Sequence, residues 1–149
     1  GFRTPHFGVL HVDDVYPVLA DIGYRFSSSK VAAAPPSWGR SYRTVEGVWE
    51  FPLSPCPQHP FGVFDSWHSL SKWGAAHTAC GALDSLFARL VASVTERGGH
   101  ANVYFDPCDV LASGELERIL QRMGDSGIAV RTYGALVTEL EGRFAAAVK

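Results

Sequence analysis

The 149-residue chain is 46% hydrophobic, 19% charged and 12% aromatic, the profile of one soluble globular domain. Its net charge of -2, with thirteen Lys and Arg scattered along it, leaves no basic footprint and argues against a nucleic-acid partner. No apolar run approaches the ~18 residues of a membrane-spanning helix, and Cys56, Cys80 and Cys108 fit neither a disulfide framework nor a C-x-x-C zinc site.

In chain order, VDDVYPVLADIGY (12–24) reads as a short helix with acidic Asp13 and Asp14 early. Val15, Val18, Leu19 and Ile22 stand at helical spacing, Pro17 lies in the first turns where it is tolerated, and Gly23 is the stop. YRFSS (24–28) reads as a strand, and the Pro-, Gly- and Ser-rich stretch 30–47 as a long loop. GVWEFPLSP (47–55) has the β-branched and aromatic character of a strand, with Pro52 marking its edge or end. Residues 56–75 form an aromatic loop, and a loop of that length in a compact domain is usually functional.

Leu83, Leu86, Phe87, Leu90 and Val94 recur on one face of an amphipathic helix over 77–97, stopped by Gly98 and Gly99. HANVYFDP (100–107) reads as a buried strand running into a turn, and SGELERILQRMGDSG (113–127) as a helix begun by Ser113. IAVRTY (128–133) reads as a short strand and GALVTELEGRFAAAV (134–148) as the last helix. Strands alternating with helices that end on glycines are the grammar of βαβ units, so an α/β fold with a parallel sheet is predicted.

Common catalytic signatures are absent: no G-x-S-x-G elbow, no phosphate-binding G-x-x-x-x-G-K-[ST] or G-x-G-x-x-G loop, and no H-E-x-x-H helix. The six histidines share no helical metal-ligand spacing. One ordered series of motifs stands out: FRTPHF, then IGYRFSSS, then VWEFPLSP, then GGHANVYFDP, then TYGALVTEL. This order resembles the C-terminal half of the NodB-homology polysaccharide deacetylases, carbohydrate esterase family 4. There an R-x-P-[YF] motif, a G-Y-x-Y-x-S-S segment, a W-E-x-P-[VL]-S strand and a Y-x-H-P turn follow one another. The resemblance covers nearly all 149 residues.

It implies the C-terminal half of a distorted (β/α) barrel, residues 1–149 forming a single domain completed by an N-terminal half, a partner chain or a second copy. Half a barrel leaves open strand edges that need covering. It also implies a metal-dependent hydrolase that removes acetyl from the amide of an N-acetylated sugar. In such enzymes a divalent metal such as zinc polarises the carbonyl and an aspartate takes the proton of the attacking water. Arg3 would orient that aspartate, and Pro5 and His6 stand where the motif's proline and aromatic border the oxyanion. Trp49, Trp67, His68 and Trp73 could line a sugar cleft, or pack as core and rim.

The family's aspartate strand and H-x-x-x-H pair precede the arginine motif, so no metal ligand carries over onto these residues. Asp106 stands at the position of the histidine acid. An ordinary Asp titrates near ~3.9 against ~6.5 for His, which makes it a poor proton donor at neutral pH. Three alternatives stay open: a turn aspartate in an inactive carbohydrate-binding or interaction subunit, a drifted deacetylase, or another carbonyl reaction with Asp106 as base. The compartment stays open too, with the cytoplasm favoured.

Overall fold

The computed structural model describes residues 1–4, 13–32, 39–58, 62–66 and 82–147. The chain divides into two units, the first comprising Gly1–Lys30, Tyr42–Phe51 and Ala129–Lys149, the second Val31–Ser41 and Pro52–Ile128.

The first unit is built on residues 48–51, whose side chains alternate between two faces as a strand requires. Three short strands, β1 (Phe26–Ser27), β2 (Tyr42–Arg43) and β3 (Trp49–Glu50), pair in the order β1-β3-β2. β1 runs parallel to β3, with Phe26 opposite Trp49, and β2 runs antiparallel, with Tyr42 opposite Glu50. Phe2 extends the sheet by a parallel bridge to Ser27. A short 3-10 turn (Asp13–Val15) leads into α1 (Tyr16–Asp21), whose Tyr16 and Leu19 bury against Val48 on one face. On the other face α5 (Tyr133–Ala147) buries Val137 against Trp49 and Phe51. Each such fully buried side chain contributes roughly 1.5–3 kcal/mol.

The second unit holds α2 (Ala82–Arg97), α3 (Pro107–Ser113) and α4 (Glu115–Asp125). Leu83, Leu86, Phe87 and Leu90 of α2 join Phe64, Val110 and Ile119 in its core, and Val94 packs against it half-buried. The α2 face read from the sequence is therefore the core face. Across it, the buried Glu115 accepts the Asp84 amide at 3.0 Å and satisfies one donor at the start of α2.

The described architecture is mixed α/β, and it corrects several expectations. The sheet is mixed, because the stretch read as loop contains β2 and turns tightly at Gly47, whose φ of +88° suits glycine. Among the described residues, 100–107 form an isolated bridge, Tyr104 to Asp65, and no strand: the Ser54 amide donates to the Asn102 carbonyl, but the Asn102 amide donates back to the Ser54 hydroxyl, which interrupts a ladder. Ser113 does not begin a helix; it ends α3, and Gly114 in the left-handed region separates it from α4. Residues 128–133 form no strand. Val130 is exposed there, and the Thr132 hydroxyl accepts the Ala135 amide at the start of α5.

Candidate functional site

In the first unit, motifs far apart in the sequence meet in one polar cluster. The bridge from Phe2 to Ser27 lays residues 1–4 along β1, and this brings Arg3 to Ser28. Arg3 Nε donates to the Ser28 carbonyl at 3.1 Å, and Nη2 donates to Ser28 Oγ at 2.8 Å and to the Tyr133 hydroxyl at 2.7 Å. Tyr133 stands at the first turn of α5, its ring 5.2 Å from those of both Phe26 and Phe51. The guanidinium is thus gripped by a main-chain carbonyl and two hydroxyls, which fix the plane of its donor fork.

Behind it the three serines of the YRFSSS segment are all buried. Ser27 Oγ donates to Ser29 Oγ at 2.9 Å, and Ser29 Oγ accepts the Thr4 amide at 3.0 Å. Glu50, with no exposed surface, accepts the amides of Ser29 at 2.7 Å and Lys30 at 2.9 Å and the Tyr16 hydroxyl at 2.9 Å. A buried carboxylate is tolerated when donors surround it, as here. Burial and the facing Glu50 carboxylate push the Tyr16 phenol well above its ordinary range, so it remains a donor. Glu50 thus holds the backbone at 29–30, and the preceding Ser28 helps hold Arg3.

Asp106 belongs to the second unit. Its amide donates to Ser66 Oγ at 2.6 Å, and its carboxylate accepts the Cys108 amide at 2.9 Å as the N-cap of α3, with Pro107 at the first helical position. Trp49 is buried in the first unit's core beside Phe51 and Val137, so its ring serves packing. Pro5, His6, Trp67, His68 and Trp73 lie outside the described residues. Among the described residues no three His, Cys, Asp or Glu side chains converge on a cation-sized site, so they do not supply the metal centre that the resemblance implies. No described helix is long and apolar enough to cross a membrane.

Tyr16, Glu50, Ser27–Ser29 as ligands of one another, and Tyr133 are the members that sequence reasoning missed. The available signal was Glu50 itself, a carboxylate within an apolar strand, which needs buried donors. No family model, curated protein or solved structure matches the chain.

Proposed function

We propose that the chain is the C-terminal half of a polysaccharide deacetylase-like hydrolase of the NodB type, acting on the N-acetyl group of a sugar, with Arg3 as its positioning residue. What supports this reading is the meeting of its motif segments. FRT, YRFSSS and VWEF, which lie in separate stretches, join through Arg3, Thr4, Ser28, Ser29 and Glu50. A positioning arginine needs a fixed plane, and Ser28 and Tyr133 provide it. The barrel architecture, the metal ligands and the base belong to an N-terminal half or partner in this reading, and no step through the metal is assigned to the described residues.

The test is acetate release from N-acetylchito-oligosaccharides by the protein expressed from its full reading frame with added Zn²⁺ or Co²⁺. Release is expected, and Arg3→Ala should lower kcat/KM by ~100-fold through misorientation. Absence of release overturns the reading, whether or not the saccharide binds.

A second reading, an inactive carbohydrate-binding subunit, is favoured by one observation: the Asp106 carboxylate is engaged in capping α3. It predicts saccharide binding without acetate release at any added metal.

A further inference from the structure

A cavity of about 300 Å³ opens in the second unit along the C-terminal half of α2. Arg89, Ser93 and Arg97, spaced at i, i+4 and i+8, form one polar stripe of its lining, and Leu90 and Val94 form the apolar stripe beside it. Pro55 and Cys56 contribute to the lining from the segment that follows β3. Among the described residues the lining contains two guanidinium groups and no carboxylate.

The cations are held differently. Arg97 Nη1 donates to Ser93 Oγ at 2.5 Å, which fixes its head along the stripe. Arg89 is exposed and has no hydrogen-bond or ion-pair partner among the described residues. The carbonyl end of a helix repels an anion, but here Arg40 covers it, donating to the Gly98 carbonyl at 3.0 Å and to the Arg97 carbonyl at 2.5 Å. Two guanidinium groups, those of Arg89 and Arg97, therefore line the cavity beside its apolar stripe, and Arg40 masks the carbonyls at the end of α2.

We propose that this cavity binds a small organic carboxylate with an apolar body, its carboxylate on Arg89 and Arg97 and its body over Leu90, Val94 and Cys56. The volume stands at the lower end for ligand cavities and admits on the order of ten non-hydrogen atoms. A bare inorganic anion would leave the apolar floor unused, and a neutral apolar molecule would leave both guanidinium groups unused. The site is independent of the deacetylase reading, since it lies wholly within the second unit and uses none of the side chains to which that reading gives a role.

Titration of the full chain with hexanoate, hexan-1-ol and inorganic phosphate, followed by calorimetry, tests the proposal. Hexanoate should bind in the millimolar range or tighter, as expected of so few atoms, and both other probes about tenfold more weakly. Arg89→Gln alters an exposed side chain and should keep the melting temperature while weakening hexanoate about tenfold. Hexanol or phosphate binding as well as hexanoate overturns the proposal. So does a full-strength Arg89→Gln variant, or no binding at millimolar concentration.

Discussion

The Tyr16 hydroxyl donates to the Glu50 carboxylate at 2.9 Å, tying α1 to the central strand at a carboxylate that water does not reach. Tyr16→Phe removes one donor from a buried charged acceptor and should destabilise the protein by about 1.5–3 kcal/mol in urea unfolding. The raised phenol also gives a pH signature. In the unfolded chain Tyr16 ionises near its ordinary value of 10.0, whereas the folded chain keeps it protonated. Its contribution is fully present below that value and is lost progressively as pH rises above it. The stability of Tyr16→Phe should therefore fall less steeply than wild type in unfolding curves taken above that pH.

Asp84 gives the opposite limb. Arg122 donates to both its carboxylate oxygens, at 2.5 and 2.6 Å. The hydrogen bonds from Arg122 hold the Asp84 carboxyl below its ordinary 3.8, against burial that would raise it. That contribution is present above the ordinary value and is lost as pH falls through the folded one. Asp84→Asn should lower the midpoint of thermal unfolding at neutral pH and flatten its decline in acid. An acid limb identical to wild type refutes the role given to this pair.

Two glycines should respond to alanine in opposite directions. A Cβ at Gly39, where φ is +77°, would stand 2.7 Å from the His100 carbonyl oxygen. Gly39→Ala should cost at least about 1–2 kcal/mol for the left-handed backbone alone, with the clash added. Gly142 lies inside α5, is exposed, and would meet nothing within 4 Å. Gly142→Ala should stabilise by about 0.5–1 kcal/mol, read by the same denaturant titration.

Asp106 can be separated into a capping role and a chemical one. Asp106→Asn retains an N-cap acceptor and should keep stability within a few tenths of a kcal/mol, whereas Asp106→Ala should cost about 1 kcal/mol. If Asn also preserves any acetate release, the carboxylate has no part in proton transfer. Loss of release with stability intact assigns it one.

The α2 face was legible because its pattern needs only local spacing, and Leu83 through Leu90 bury as the period says. Asp106 and Pro107 read as a turn, yet the same pair is the start signal of α3. IAVRTY carries strand residues, but no neighbouring strand pairs with it among the described residues, and composition alone cannot supply a partner. At the candidate site, Arg3 and the serine run were visible as motifs. Their grip by Tyr133, 130 residues from Arg3, and the pairing of Glu50 with Tyr16 were not, because side-chain hydrogen bonds between distant segments leave no periodic trace.

The first unit is assembled from three separated stretches of chain, and the rings of Phe26 and Phe51 rest on Tyr133 from the last of them. During translation those two aromatics leave the ribosome long before their cover exists. At ~5–20 residues per second the wait is on the order of ten seconds. The second unit, whose two stretches both lie within that interval, can complete its own core first. The nascent polypeptide therefore carries a transient apolar face, which closes once α5 is synthesised.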